Sequence, residues 1–263
     1  MFPTLIHIGG FSLATYGVLV AAAYLGAIYW LKHRLVPGRM KEQDFWAAIY
    51  CLFFGALAGG KLLYVLVEWP RFASGELGFI RDFRYGFVYF GGLIGALAMG
   101  LAFARRKGIP FLDNADYFST ALPMGHAVGR LGCLMAGCCY GKPSSAPWAV
   151  SFSRPDSLVP EPLLGVPLHP TQLYEAAGDA AIAVFLYYGV VRRIEAGRLK
   201  PGTAFTVYVL LYSVLRFVVE LFRGDERGAF VGGLSPSQLV AAAAFAGAAG
   251  LLAARGLWIK SSR

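Results

Sequence analysis

Ionisable side chains inside long apolar stretches are the features of this chain best placed to do chemistry. They are Lys61, His126 with Arg130, Glu175 with Asp179, and Arg216 with Glu220, and Arg223 lies just past the last pair. A charge near the middle of a membrane span costs at least about 2.5–3.5 kcal/mol, so such groups usually face a bundle interior and have a task. Arg216 and Glu220 are four residues apart and Tyr212 is one turn earlier, which puts all three on one helical face. Two roles are open for that pair. It fixes helix packing as a structural ion pair, or it holds an arginine fork ready for a phosphate. His126 shares a face with Arg130, one turn on, and is either hydrogen-bonded to a neighbour or a proton carrier. Gly129 and Gly132 flank Arg130 and let a helix or a ligand approach the backbone. Two arginines converging from different spans would suit the phosphate of a phospholipid headgroup.

The cysteines form the second feature. Cys133, Cys138 and Cys139 fall within seven residues, and Cys51 stands apart. Three readings are open: small residues packed at a tight helix end, a metal site shared with His126, or a thiol activated by Arg130. No CxxC pair supports the metal, so no metal and no organic cofactor is expected. The cysteines are too few and too clustered for a disulfide scaffold.

The elements that carry these residues follow from composition. The chain has 263 residues, of which 57% are hydrophobic and only 15% charged, with mean hydropathy +0.56. A soluble domain carries about a quarter of its residues as charges. Apolar stretches predict an all-α, polytopic bundle with about seven transmembrane helices, near 11–31, 45–67, 87–104, 115–136, 172–191, 202–222 and 236–254. The first stretch reads as a retained span and not as a cleaved signal peptide.

Fourteen Lys and Arg fall on one side: Lys32, Arg34, Arg39, Lys41, Arg105, Arg106, Lys107, Arg192, Arg193, Arg198, Lys200, Arg255, Lys260 and Arg263. Seven fall on the other: Arg71, Arg81, Arg84, Lys142, Arg154, Arg223 and Arg227. The positive-inside rule then places the N-terminus out and the C-terminus in. The net charge of +9 is confined to these loops, which argues against nucleic acid as a partner. Residues 68–86, with Trp69, Pro70, Phe72 and Phe79, suit an interface. Residues 137–171, rich in Pro, Ser and Gly, read as a long ordered loop on the same outer, periplasmic side. A single domain over 1–263 is expected, and no matched halves suggest a transporter.

Read in order, FPTLIHIGGFSLATYG at the start, GGLIG at 91–95, GRLG at 129–132, HPTQLYE at 169–175 and LYSVLRFVVELFR at 211–223 resemble the prolipoprotein diacylglyceryl transferase family along nearly the whole chain. The resemblance implies a multi-pass enzyme of the bacterial cytoplasmic (inner) membrane. It would transfer the diacylglyceryl group of phosphatidylglycerol to the lipobox cysteine of a preprolipoprotein signal peptide, forming a thioether and releasing glycerol phosphate. It also implies catalytic roles for Arg130, Arg216, Glu220 and Tyr212. Tyr16, Gly91, Gly92, Gly129, Gly132, Cys133, Gly141 and Arg223 fall at substrate-binding positions. Membrane lipid and the signal peptide are the expected partners, and a monomer is expected.

Three positions depart from that family. Phe90 stands where the family commonly has a histidine proposed as base, and Cys133 and Cys138 stand where it has Asn and Glu. His126 is the candidate replacement base, and Cys138 or Cys133 a candidate acceptor of the transferred group before it is passed on. Two alternatives follow: a paralogue that uses the same phospholipid donor on a different acceptor, and a non-catalytic phospholipid-binding membrane protein.

Overall fold

The computed structural model describes residues 2–9, 11–36, 38–78, 82, 86–225 and 232–256. Phe79, Arg81, Arg84, Arg227, Lys260 and Arg263, which entered the interface and charge arguments, lie outside the described residues. The order of elements is β1 (Thr4–Ile8), β2 (Phe11–Ala14), α1 (Thr15–Leu35), α2 (Glu42–Val67), α3 (Trp69–Ala73), α4 (Tyr89–Lys107) and α5 (Phe111–Ala136). Then come β3 (Val150–Ser151), β4 (Pro167–Leu168), α6 (Thr171–Phe185) with a π-helical continuation over Leu186–Val191, α7 (Arg192–Glu195), α8 (Thr203–Phe222) and α9 (Pro236–Arg255).

Helix covers each of the seven apolar stretches, and α2, α8 and α9 are long and apolar enough to cross a membrane by length and composition. Two corrections apply to the all-α expectation. The first span does not begin at residue 11, because Phe11–Ala14 pairs antiparallel with Thr4–Ile8 across a turn at Gly9 (φ 58°). A second small antiparallel pair joins β3 to β4. Both hairpins satisfy their backbone groups across strands, which an apolar-window count does not register.

The chain divides into two compact units, Lys32–Asn114 and Met1–Leu31 with Ala115–Arg263. In the first, α2 packs on α4 through glycine. A Cβ on Gly59 would overlap the Gly91 carbonyl, and one on Gly95 the Gly55 carbonyl. Backbones approach this closely only where side chains are absent, the small-residue packing common between membrane helices. The same unit accounts for Lys61 within an apolar helix: its ammonium lies 5.1 Å from the Tyr64 ring centre and 5.5 Å from that of Phe87. Residues 68–78 supply α3, whose Arg71 donates to Glu68 at 3.1 Å. Lys107 reaches Asp44 at 2.9 Å.

The second unit holds most of the polar residues. Helix α9 begins with a capping box: Ser235 accepts from the Gln238 N–H, and the Gln238 side chain accepts from the Ser235 N–H, with Pro236 next in the chain. Helix α8 has no cap from its own sequence. Its N-terminus is capped from α5 instead, by the buried Asp116, which accepts from the Gly202 N–H at 2.6 Å and the Phe205 N–H at 3.0 Å. The carboxylate satisfies two N–H groups that a helix start leaves open and faces the positive end of the helix dipole. A single residue thus joins α5 to α8 at one end. Residues 137–171 form a folded segment over Leu134, Tyr140, Phe152, Val159 and Leu168, as expected for an ordered loop.

Replacing Asp116 with Ala removes both acceptors from a buried helix start. Each orphaned group costs about 1–3 kcal/mol. Denaturant unfolding of the detergent-solubilised protein should show a loss in that range or above it, with Asp116→Asn recovering part because its amide oxygen still accepts. An unchanged midpoint for the alanine variant would mean that water reaches the α8 N-terminus.

Candidate active site

The site is built in the second unit, where α5, α6 and α8 contribute charge and α9 contributes hydroxyl groups. Arg130 lies fourteen residues beyond Asp116, and Arg216 lies fourteen beyond Gly202. At 1.5 Å rise per residue both arginines stand about 21 Å from the shared clamp, so they arrive at the same level. Between them α6 presents Glu175, which is 1% exposed.

Arg130 Nη2 donates to Glu175 Oε1 at 2.8 Å, and Arg216 Nη1 donates to Glu175 Oε2 at 3.2 Å. Arg216 Nη2 also donates to Glu220 Oε2 at 2.7 Å and to the Ser237 hydroxyl at 3.2 Å. Ser235, the cap residue of α9, donates its hydroxyl to Glu220 Oε1 at 2.8 Å. The Tyr212 hydroxyl lies 3.3 Å from Glu175 Oε1. Each carboxylate is therefore flanked by donors, and each arginine by carboxylate.

His126 and Asp179 complete the cluster. His126 Nδ1 is 2.8 Å from Asp179 Oδ2, and Nε2 is 3.9 Å from Glu175 Oε1. Asp179 is fully buried, while His126 keeps about a third of its surface open. The Tyr212 ring meets the imidazole edge to face with centres 5.6 Å apart. Helix α6 lies against α8 at Gly178, where a Cβ would overlap the Leu215 side chain. That contact falls between Glu175 and Asp179 and fixes the depth of both.

The structure thus brings together His126, Arg130, Tyr212, Arg216 and Glu220, five of the residues expected from the sequence. The Arg216–Glu220 pair forms as the four-residue spacing requires. Glu175 and Asp179 were visible as intramembrane acids, but their central place was not. Ser235 and Ser237 carried no sequence signal beyond the start of α9.

Other expected residues lie elsewhere. Arg223 forms a two-point ion pair with Asp225 at 2.9 and 2.7 Å and takes no part in the Glu175 cluster. Its backbone bridges to Gly141, where a Cβ would meet the His169 backbone and the Phe222 carbonyl. Tyr16 of α1 stands at Gly132, 3.2 Å from where a Cβ would be. Among the described residues nothing beyond its own helix turn lies within 4 Å of a Cβ built on Gly129. Gly91 and Gly92 belong to α4 of the other unit, where Gly91 packs on Gly59 and Leu63, and Gly92 faces Ala56.

Arg130 Nε is buried and donates to no acceptor among the described residues. An arginine that spends one nitrogen on a carboxylate and keeps another buried donor uncommitted is suited to a second anion. An apolar groove lined by Trp148, His169, Tyr174, Leu215, Val218 and Phe222 runs along α6 and α8 in the same unit.

Comparison with known proteins identifies a family. A family model described as prolipoprotein diacylglyceryl transferase matches residues 3–254. The phosphatidylglycerol–prolipoprotein diacylglyceryl transferase 2 of Clostridium perfringens is 35% identical over 237 residues, covering 89% of this chain and 88% of that protein. The corresponding proteins of Clostridium tetani and of a Nostoc species are each 32% identical, over 91% and 95% of this chain and 92% and 88% of theirs.

Neutralising Glu175 while keeping its shape, as Glu175→Gln, leaves two buried arginines facing each other without a shared counter-charge. Removing one partner from a buried pair costs about 3–5 kcal/mol. Denaturant unfolding should show a loss of that size, and Glu175→Gln combined with Arg130→Met should lose less than the two singles added. Strict additivity would mean that the two residues do not share a charge network.

Proposed function

The chain belongs to the prolipoprotein diacylglyceryl transferase family, and on that premise we propose that it is an enzyme transferring the diacylglyceryl group of phosphatidylglycerol to the lipobox cysteine of a preprolipoprotein. The product is a thioether, and glycerol phosphate leaves. One observation carries the reading: Arg130 and Arg216, from different helices, share the buried Glu175, and Arg130 keeps a buried donor free for an anion.

The chemistry follows from that cluster. The acceptor must react as a thiolate, because the thiol is a poor nucleophile. Its sulfur attacks the diacylglycerol carbon that carries the phosphate, the C–S bond forms and the C–O bond breaks. The electron pair stays on the phosphate oxygen. Fixed cations in a dry site stabilise that growing charge without reorganising. Arg130 and Arg216 take this role, with Glu220, Ser235 and Ser237 holding the Arg216 fork.

His126 takes the thiol proton in place of the missing histidine at Phe90. A proton on Nδ1 faces Asp179, so Nε2 carries the lone pair and opens towards Glu175. Tyr212 braces the imidazole and Glu175 together. Tyr16, Gly129, Gly132, Cys133, Cys138, Gly141 and Arg223 form the substrate side of the same region, and the apolar groove along α6 and α8 suits acyl chain.

The same reading places the protein in the bacterial inner membrane as a monomeric, single-domain, multi-pass enzyme. Its seven spans are α1, α2, α4, α5, α6 with its π-helical turn, α8 and α9. The basic loops lie inside and residues 137–171 face outwards.

Thioether transfer from labelled phosphatidylglycerol to a lipobox peptide by the purified protein tests this. Label should appear on the peptide cysteine and be lost in Arg130→Ala. His126→Gln should lower turnover by about 10²–10⁴-fold, the usual contribution of a positioned base, with lipid binding retained. A fully active His126→Gln protein would remove His126 as base. Lipid binding by the parent protein without transfer to the peptide would favour a different acceptor.

A further inference from the structure

Among the described residues two groups of side chains come close enough to share a metal ion: His126, Glu175 and Asp179, and Cys133, Cys138 and Cys139. In the first, Glu175 is already neutralised by two arginines, which leaves little for a cation to gain. The second has arginines nearby, Arg130 and Arg223, but their ion pairs are with Glu175 and Asp225. Its three cysteines are free of disulfides and half-buried, and their sulfur atoms all lie within 4.8 Å of one another.

The backbone is bent to produce this meeting. Cys139 has φ 61°, and it is the one non-glycine residue with positive φ among the described residues. Such a conformation persists only where its surroundings impose it, and it concentrates at functional sites. Here the surroundings are explicit. Thr171 donates its hydroxyl to the Cys139 carbonyl at 2.7 Å, and the buried Gln172 donates to the Cys138 carbonyl at 2.7 Å. The Cys138 N–H closes on the Cys133 carbonyl at 3.2 Å. The first turn of α6 thus holds the vicinal pair against the last turn of α5.

We propose that Cys133, Cys138 and Cys139 bind one thiophilic divalent cation, Zn²⁺, as a three-sulfur site with a fourth position open, and that the open position takes the acceptor thiol. The second half rests on the transferase reading above. Zn–S bonds of about 2.3 Å put tetrahedral sulfurs about 3.8 Å apart, within a small side-chain rotation of the spacing seen. Three thiolates around Zn²⁺ leave a net charge of −1, and Arg130 and Arg223 both lie within electrostatic reach of Cys139 to balance it. Three protein ligands and one exchangeable position are the pattern of a reactive zinc site, whereas structural sites close all four. A thiol that coordinates such an ion is deprotonated at neutral pH.

The step balances. The acceptor S–H enters the open position, and its proton passes through water to His126, about two helical turns from Cys133 on α5. The metal-held sulfur attacks carbon, the C–O bond to phosphate breaks with its electron pair left on oxygen, and the proton passes from His126 to the leaving phosphate or to water. The cation is neither oxidised nor reduced. The cysteines at two altered family positions thereby supply nucleophile activation close to Arg130.

The test uses the full-length protein in detergent. After chelation and reloading with Zn²⁺ or Co²⁺ and removal of unbound ion, elemental analysis should find one ion per chain. The cobalt form should show a sulfur-to-cobalt charge-transfer band. Cys139→Ser should weaken retention, and the triple Cys133→Ser, Cys138→Ser, Cys139→Ser protein should retain none while keeping its helical circular dichroism. A lipobox peptide should change the cobalt band, and the same peptide with serine for cysteine should not. No ion in the parent protein, equal retention in the triple variant, or an internal disulfide in place of metal overturns the site. Undiminished transfer by chelated protein overturns thiol activation and leaves the transferase reading standing. A cobalt band that responds to the peptide without transfer supports the site and sinks that reading instead.

Discussion

Glu175 carries a negative charge with 1% of its surface exposed, and it does so because Arg130 and Arg216 each give it a donor. Arg130 depends on this acid for its charge partner, Arg216 shares it with Glu220, and the acid takes a donor from each arginine. Burying charges removes their hydration, and only close, well-aligned partners return enough of it. The consequence is positional. Three helices must deliver three side chains to within hydrogen-bond distance, so the depth and rotation of α5, α6 and α8 are set by charge as much as by packing. The cluster sets two arginines against three acids, Glu175, Glu220 and Asp179, so its capacity for an anion rests on the uncommitted Arg130 Nε donor and not on net charge. A buried donor left open beside a fixed guanidinium suits an anionic oxygen.

The scaffold makes that meeting reproducible. Asp116 ties the start of α8 to α5, and the fourteen-residue arms from the tie to Arg130 and Arg216 are equal. Equal arms on helices of equal rise arrive level, whatever the side chains between them. Gly178 against Leu215 sets how closely α6 approaches, and the α9 cap residue Ser235 reaches back to Glu220. A capping hydroxyl used in this way serves two helices, ending one and steadying a charge on another.

Much of this was legible in the sequence because it depends on local period. Seven apolar stretches gave seven helical segments, and the i, i+4 spacings of His126 with Arg130 and of Arg216 with Glu220 put each pair on one face. What was hidden is non-local. Asp116 looked like an interruption in a span, since nothing near it in the chain says that its partner is the N-terminus of a helix 86 residues later. Glu175 and Asp179 were visible as costly acids, but which arginine each would meet depends on helix order. The β1–β2 pairing was missed because Phe11–Ala14 is apolar enough to extend a helix by composition. Cys133, Cys138 and Cys139 lack a recognised ligand spacing, and their sulfurs converge only because a positive φ at Cys139 turns the chain.

That turn bears on how one fold divides two demands. Stabilising a departing phosphate needs fixed positive charge; making a thiolate needs something that removes a proton from a weak acid and holds the anion near carbon. A histidine meets the second demand through proton transfer, and Phe90 cannot. Along α5 the chain spaces its polar groups at His126, Arg130 and Cys133, about a turn apart, with Cys138 and Cys139 folded back beside the helix end. The arginine thus has a proton carrier on one side and a sulfur cluster on the other. With thiolate held by coordination, the base needs only to accept a proton already made acidic, a task suited to an imidazole steadied by Asp179. The changes at Phe90, Cys133 and Cys138 then form a single exchange, in which a stronger electrophile at the acceptor relieves the demand on the base.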